Sequence, residues 1–313
     1  MLEIEGLVHR YANGRGVGPV SLRAGAGEAL GVVGPNGAGK STLFNGLCGS
    51  GPLSGGAVRL NGRDTGRRLP SAAVGFLPET CRLLPSMTAL QAVAFERGVR
   101  GLAVSDSGLA DALGAMGVDD AGDAAVSALS QGMRRRVGIV CAFLGSPPVV
   151  VADEPLNGLD VDGVLLFRDL LRDYLAHGGA LLISSHILDL LDEVCARVLL
   201  LRDGLVVETV DADGGRVEQA YRRLRAESSE AAGRLARKAR TGPRRPAADC
   251  GAALLPGGEP RRPRPAQRSA SRARAASRAR RCASGSRPAS RTKSVSWART
   301  TSWSRAARQG LAM

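Results

Sequence analysis

Short apolar runs and longer segments with helical spacing follow one another along residues 1–221. Leu2 to Val8 alternates apolar with polar or small residues, which predicts an edge-type strand. Other short runs of largely apolar residues predict further strands, at 20–23, 29–33, 55–62, 73–77, 149–153, 180–184, 198–201 and 205–210. The last two runs flank Asp203-Gly204, a pair typical of a hairpin turn.

Helical patterns follow several of these strands. Residues 161–176 have apolar side chains at 164, 165, 167, 170, 171 and 175, which predicts an amphipathic helix. Ser130 to Leu144 predicts a helix with a capping serine at its start and with Gly145 and Pro147 beyond its end. Shorter or weaker helical patterns cover 41–47, 88–118 and 187–195.

The alternation of strands and helices determines the predicted fold class. It indicates an α/β fold with a mostly parallel sheet and helices on both faces. The first strands and the last hairpin predict an antiparallel β flank.

A glycine-rich segment joins the predicted strand 29–33 to the next helix. It reads Gly34-Pro35-Asn36-Gly37-Ala38-Gly39-Lys40-Ser41-Thr42 and fits the pattern G-x-x-x-x-G-K-[ST]. The glycines allow backbone N–H groups to turn toward a phosphate, and the helix N-terminus adds partial positive charge. Lys40 can reach the β- and γ-phosphates, and the Ser41 hydroxyl can bind Mg²⁺. We call residues 34–42 the phosphate loop.

Two acids follow the apolar strand 149–152. Ligands bind at the carboxyl ends of parallel strands, so Asp153 is expected beside the phosphate loop, where it can hold Mg²⁺. Glu154 can act as the general base that polarises an attacking water. The alternative role for the pair is to cap the next helix.

Three later segments are weak signals alone and informative as an ordered set. They are Leu129-Ser130-Gln131-Gly132-Met133, Asn157-Gly158-Leu159-Asp160 and His186. With the phosphate loop and Asp153-Glu154-Pro155, they resemble the nucleotide-binding domain of ABC (ATP-binding cassette) transporters. The resemblance covers roughly residues 2–220. It implies a P-loop NTPase core with a helical subdomain at about 80–136.

The resemblance also implies roles for single residues. Tyr11 would stack on adenine, although a packing tyrosine is the alternative. Ser130, Gln131 and Gly132 would contact ATP held by the opposite subunit. Asp160 would be the acid of the D-loop, which lies between the two ATP sites. His186 would contact the γ-phosphate and the water, and His9 and His177 are expected to be ordinary core or surface residues.

The sequence departs from the family pattern at two places. Glu79 stands where most members have Gln, near Mg²⁺ and the contact with the membrane partner. Glutamate can still supply an oxygen ligand, and this variant resembles exporter-type bacterial subfamilies. Residues 129–133 read Leu-Ser-Gln-Gly-Met rather than Leu-Ser-Gly-Gly-Gln. Ser130 and Gly132 remain, so the phosphate contact is expected to be kept.

Charge divides the 313-residue chain into two parts. Residues 222–313 contain 24 Lys and Arg and 4 Asp and Glu, whereas residues 1–221 contain 19 basic and 25 acidic residues. The tail is rich in Arg, Ala, Ser and Pro and lacks apolar periodicity, which predicts disorder. We therefore predict an ATPase domain at 1–221 and a low-complexity tail at 222–313.

Three explanations of the tail remain open. The first is a disordered tail, which includes the out-of-frame translation of a GC-rich gene end. The second is a polybasic contact with anionic lipid. The third is nucleic-acid binding, for which Trp297 and Trp303 are too few to form a stacking platform.

Cysteines and hydropathy bear on location. The six cysteines show no metal spacing, and Cys48, Cys141 and Cys195 lie among apolar residues, which favours a reducing, cytosolic setting. The acidic start Met1 to Glu5 is unlike a signal peptide, and no apolar run approaches a membrane span. A membrane role is expected to act through a partner, with the protein on the inner face of the cell membrane.

The predicted function is therefore the ATP-hydrolysing subunit of an ABC transporter, with export favoured. ATP and Mg²⁺ would be its cofactors. An integral membrane subunit and a second nucleotide-binding subunit, in a homodimer or heterodimer, would be its partners. A soluble ABC ATPase acting on ribosomes or nucleic acid is the main alternative, and a regulatory module without turnover is another. One cassette and no sustained heptads make a nucleic-acid role less favoured.

Overall fold

The computed structural model describes residues 1–227, apart from the side chain of Asp120. Its strands are β1 (Leu2–Arg10), β2 (Gly16–Ala24), β3 (Ala29–Val33), β4 (Gly55–Leu60), β5 (Arg63–Asp64), β6 (Val74–Leu77), β7 (Val149–Asp153), β8 (Ala180–Ser184), β9 (Arg197–Arg202) and β10 (Leu205–Asp211). Its helices are α1 (Lys40–Leu47), α2 (Ala89–Arg100), α3 (Asp106–Ala115), α4 (Gln131–Phe143), α5 (Val161–Ala176) and α6 (Leu188–Val194). Residues 216–227 are also helical.

The larger sheet has six strands in the order β10-β9-β3-β8-β7-β6. Every neighbouring pair is parallel except β10 with β9. Every residue of β3, β7 and β8 is buried, as expected for parallel strands covered on both faces. This burial explains why these strands appear in the sequence as continuous apolar runs.

A separate antiparallel sheet has the order β2-β1-β4-β5. The first strands thus form their own layer, as the predicted antiparallel flank required. The edge-type strand predicted at the start of the chain is wrong, because β1 pairs with β2 on one side and β4 on the other. The last hairpin differs, because β9 joins the parallel sheet beside β3 and only β10 is antiparallel. The predicted α/β class is confirmed.

Two apolar cores lie on opposite faces of the larger sheet. Alternate residues of one strand point to different cores, so Val149 and Val151 join one, and Val150 and Ala152 join the other. The first core contains α1 and the antiparallel sheet, and the second contains α2 to α6. The ends of the parallel strands are therefore fixed by apolar packing on both faces of the larger sheet.

The predicted helical stretch 88–118 is two helices. Thr88 begins α2 with a capping box, in which its side chain accepts the Gln91 N–H and Gln91 accepts the Thr88 N–H. Gly101 ends α2 at a φ of 63°, a left-handed conformation that glycine adopts without strain. Ser105 then caps α3. The break is therefore built from local capping chemistry.

The helical segment 216–227 packs on the second core. Val217, Ala220 and Leu224 are buried there. The segment runs past the predicted domain boundary at residue 221, and the division into domain and tail stays a prediction. Of the predicted tail, residues 228–313 lie outside the described residues. Within residues 1–227, none of the helices has the length and apolarity needed to span a membrane.

Candidate functional site

The phosphate loop runs from the end of β3 to the start of α1, in close contact with other backbone. Gly34 leaves no room for a side chain, because an added Cβ would lie 2.3 Å from the Leu201 carbonyl oxygen. Gly37 and Gly39 have φ angles of 83° and 107°, which favour glycine. Lys40 is buried, and its Nζ donates a hydrogen bond to the Gly34 carbonyl oxygen at 2.8 Å. The loop is thus a compact turn closed by its own lysine.

At the end of β7, Asp153 and Glu154 are both nearly buried, and Ser184 of the neighbouring β8 joins them. The Ser184 hydroxyl donates to Asp153 Oδ1 at 2.5 Å and accepts the Glu154 backbone N–H at 2.9 Å. Two adjacent parallel strands therefore fix the orientation of both acids.

Glu154 has an unusual backbone and an available carboxylate oxygen. Its φ of 49° lies in the left-handed region, which costs free energy for a residue with a Cβ. Oε2 accepts the His186 backbone N–H at 3.1 Å. Oε1 is 3.2 Å from His186 Nε2 but receives no hydrogen bond in the described structure. Glu154 thus has one buried carboxylate oxygen that is unpaired in the described structure, beside the His186 ring.

The pKa of Glu154 is raised above its ordinary value. Burial is the main cause, and the Asp153 charge acts in the same direction. The charges of His186 and Lys40 and the His186 N–H oppose the shift. A carboxylate with a raised pKa beside a phosphate loop is suited to general-base chemistry.

One cavity of about 540 Å³ brings the predicted nucleotide and catalytic residues together. Its lining includes Tyr11, residues 36–42, Glu79, Asp153, Glu154 and His186. This volume is in the range of small-molecule sites, roughly 300–1,000 Å³. A neighbouring cavity of about 740 Å³ shares Tyr11, Ser41, Glu79 and Asp153. A ligand held by the phosphate loop would thus lie beside both candidate catalytic side chains, Glu154 and His186.

Tyr11 lies at the rim of the cavity and is 43% exposed. Its ring meets the buried His9 ring edge-on, with centroids 4.4 Å apart. His9 Nδ1 is in turn 3.1 Å from the Ser54 hydroxyl. His9 is therefore a core residue, as predicted, and it supports the ring that would receive a base.

The oxygen groups predicted for Mg²⁺ all line both cavities: Ser41, Glu79 and Asp153. Among residues 1–227, no group of three or more His, Cys, Asp or Glu side chains could hold a metal alone. A hydroxyl with one or two carboxylates suits Mg²⁺, which is usually completed by substrate phosphates and water. The donor set present therefore fits a nucleotide-bound magnesium ion.

Ser130, Gln131 and Gly132 lie elsewhere. Ser130 and Gln131 are exposed, and in the described part of the chain none of the three lines the phosphate-loop cavity. Ser130 caps α4 by accepting the Met133 N–H at 3.1 Å. Asp160 caps α5 and pairs with Arg136 of α4 at 2.5 Å. The structure thus presents the start of α4 outward rather than toward its own phosphate loop.

Two further residues contribute to the site, and neither was predicted from the sequence to do so. Ser184 bridges the acids, and Arg135 of α4 hydrogen-bonds the backbone at the ends of β6 and β7. Arg135 lies four residues before the buried Ile139, on the apolar side of its helix. The sequence signal that could have identified Arg135 is its position as a basic residue on the apolar face of a predicted helix.

Comparison with known proteins shows the family of this chain. The family model described as ABC transporter matches residues 17–157. The ABC transporter ATP-binding protein YdbJ of Bacillus subtilis (strain 168) is 30% identical over 217 residues, which are 68% of this chain and 70% of that protein. The chain belongs to the ABC transporter ATP-binding family. It is an ATP-binding and ATP-hydrolysing protein.

Two further comparisons support the family and the fold. The Nod factor export ATP-binding protein I of Paraburkholderia xenovorans (strain LB400) is 30% identical over 207 residues, covering 65% of this chain and 68% of that protein. A solved ATP-binding subunit of an ABC transporter is 28% identical, with a TM-score of 0.61 over 67% of this chain and 90% of that chain. The ABC ATPase fold is thus shared with a solved transporter subunit.

Proposed function

We propose that this chain is the motor subunit of an ABC exporter, in which two nucleotide-binding subunits enclose two ATP molecules. The observation that carries this proposal is the division of the residues predicted to contact ATP between two surfaces. The cavity holds the phosphate loop and Glu154, while Ser130 and Gln131 are exposed at the positive end of α4. A second subunit would present that end to the ATP of the first.

Each side chain of the cavity has a role in this proposal. Lys40 binds the β- and γ-phosphates, and Ser41, Asp153 and Glu79 are the candidate ligands of Mg²⁺, which supplies charge neutralisation on the phosphates. Glu154 Oε1 takes a proton from water as the water oxygen attacks the γ-phosphorus, and ADP leaves. His186, beside Glu154, orients the γ-phosphate and the water.

Export through a separate membrane subunit is supported by the relatives. One of them is named for Nod factor export. Glu79 also resembles the variant of exporter-type subfamilies. The chain would then sit on the inner face of the membrane through that subunit. These names favour a transporter over a soluble ATPase acting on ribosomes or nucleic acid. ATP would close the dimer and hydrolysis would release it, a two-state change that the membrane subunit follows.

The test uses Glu154→Gln, which keeps the shape of the side chain and removes the base. Turnover should fall on the order of 10²–10⁴-fold while ATP binding persists. With ATP and Mg²⁺ the variant should elute as a dimer in size-exclusion chromatography. When it is tagged and captured from detergent-solubilised cells, an integral membrane protein should be captured with it. Glu208→Gln, at an exposed ion pair with Arg223, is the matched control. Turnover near that of the wild type in Glu154→Gln would overturn the mechanism.

A further inference from the structure

Arg135 lies in the second turn of α4, is 3% exposed and points its guanidinium at two strand ends. Its five hydrogen bonds all go to backbone carbonyl oxygens: Nε to Pro155 at 3.0 Å, Nη1 to Pro78 at 2.7 Å and Glu79 at 3.1 Å, and Nη2 to Asp153 at 2.8 Å and Glu154 at 2.6 Å. A guanidinium has five N–H groups in a fixed plane. Every donor of Arg135 is therefore used to hold main chain.

The charge of Arg135 is buried without a carboxylate hydrogen-bond partner. Burial lowers its pKa, and the nearby Cys81, Asp153, Glu154 and Glu79 partly oppose that shift. An arginine keeps its charge at neutral pH, so the carbonyl dipoles must compensate for the lost hydration. Such an arrangement favours one relative position of the two strand ends whose carbonyl groups Arg135 binds.

The two segments are those that carry the acids of the site. Residues 78–79 follow β6, and residues 153–155 are the last residue of β7 and the two that follow it. Glu154 is held in its left-handed conformation by Arg135 at the carbonyl and by Ser184 at the N–H. A shift of the Arg135 guanidinium would therefore rotate the Glu154 carboxylate and move Glu79.

The helix that carries Arg135, α4, begins at the exposed Ser130 and Gln131. Ser130 precedes Arg135 by five residues, a distance of roughly 7.5 Å along a helix. A helix turn transmits displacement with little internal change. Contact made at Ser130 is thus mechanically connected to the backbone of Glu154 in the same chain.

We propose that Arg135 is a positioning residue that couples the two ATP sites. When Ser130 engages the ATP of the other subunit, α4 settles, and Arg135 aligns Glu154 and Glu79 for hydrolysis in its own site. This inference rests on the proposed two-subunit function. It assigns to one buried arginine the task of making each site sensitive to the other.

The first test is a double-mutant cycle with Arg135→Lys and Glu154→Gln in the full-length protein. Lysine has three donors on a point charge and cannot bind five carbonyls in a fork. In the wild-type background kcat should fall about tenfold or more, with ATP affinity within about threefold, because the loss concerns alignment. In the Glu154→Gln background the same change should alter residual turnover by less than about twofold, since the base is already absent.

Arg97→Lys is the matched control. Arg97 donates to the Val104 carbonyl oxygen and pairs with Asp106, and it lines neither of the two cavities. Arg97→Lys should leave kcat unchanged in both the wild-type and the Glu154→Gln backgrounds. If Arg135→Lys lowers turnover by the same factor in both backgrounds, the role of Arg135 is structural and the inference fails. If Glu154→Gln itself turns over ATP like the wild type, the proposed function fails instead.

A second measurement needs no change at Arg135. Hydrogen exchange of Glu154→Gln with ATP should show added protection in peptides covering residues 130–134, 79–81 and 153–157. Adding Ser130→Arg blocks the partner's phosphate while ATP still occupies the phosphate loop. Protection at 79–81 and 153–157 should then be lost with that at 130–134. Its persistence would overturn the coupling.

Discussion

Ser184 donates a 2.5 Å hydrogen bond to Asp153 across the neighbouring strands β8 and β7. The same hydroxyl oxygen accepts the Glu154 N–H. One small side chain therefore joins the candidate metal ligand to the candidate base, and it is fully buried.

Replacing Ser184 with alanine should weaken both stability and catalysis. The buried Glu154 N–H loses its acceptor, which costs roughly 1–3 kcal/mol of the free energy of unfolding. Freed from its bridge, Asp153 and Glu154 lose orientation, so kcat should fall more than ATP affinity. Urea unfolding and steady-state kinetics measure the two effects.

Ser105→Ala is the control for that prediction. Ser105 caps α3, and losing a cap costs about 0.5–2 kcal/mol, comparable with the Ser184 change. Turnover should be retained in this variant. Equal kinetic losses in the two alanine variants would show that stability alone explains the Ser184 effect.

The raised pKa of Glu154 predicts a pH dependence with a definite sign. Turnover needs the ionised carboxylate, so it should fall as pH decreases through a pKa above the ordinary 4.5. Stability follows the opposite direction. Between 4.5 and the raised pKa the folded state binds more protons than the unfolded state, so this group's contribution is lost as pH rises.

Glu154→Gln should remove that contribution. The stability of the variant relative to wild type should therefore increase with pH above 4.5, and should be smallest in acid. Denaturant titrations at several pH values would measure it. A relative stability that is constant or declines with pH would contradict the raised pKa.

Tyr11 should contribute to nucleotide affinity through its ring alone. Tyr11→Ala should weaken ATP binding by about 0.5–1.5 kcal/mol, which is roughly 2- to 13-fold, and Tyr11→Phe should bind like the wild type. Stacking requires no hydrogen bond to the base, so GTP binding should weaken similarly. Calorimetry on the Glu154→Gln background measures this. Unchanged affinity in Tyr11→Ala would make Tyr11 a packing residue.

Leu224 should be part of the folded unit. It is 5% exposed on the second core, so Leu224→Ala should cost about 2–5 kcal/mol of the free energy of unfolding. A chain ending at residue 227 should likewise be more stable than one ending at 221. Equal stability of the two truncated chains would support the boundary predicted from composition.

The parts predicted well from sequence are those whose burial is complete. Strands 149–153 and 180–184 and helix 161–176 have the predicted bounds because every strand residue, or one whole helix face, is buried. β2 is longer than predicted, because Gly16 and Val17 pair with Arg10 and His9 of β1 although residues 16–19 include two glycines and a proline. Pairing partners, which local composition does not contain, decided its length.

The contacts of Arg135 could not be predicted in the same way. Its acceptors lie about 20 positions later and 57 positions earlier in the chain, and all are carbonyl groups. A carbonyl is common to every residue, so no pattern of side chains marks it. The nucleotide residues, in contrast, follow a spacing set by phosphate chemistry. Their assigned roles stay predictions until the variants are measured.

The strand order has a consequence for synthesis on the ribosome. β3, which precedes the phosphate loop, lies between β8 and β9, and both of those strands are encoded after residue 179. After Lys40 has been synthesised, synthesis must therefore continue to about residue 202 before β3 can pair with both of its neighbouring strands. Long-range parallel pairing also folds slowly. Premature termination before that point would leave a product with a complete phosphate-binding sequence and no working ATPase.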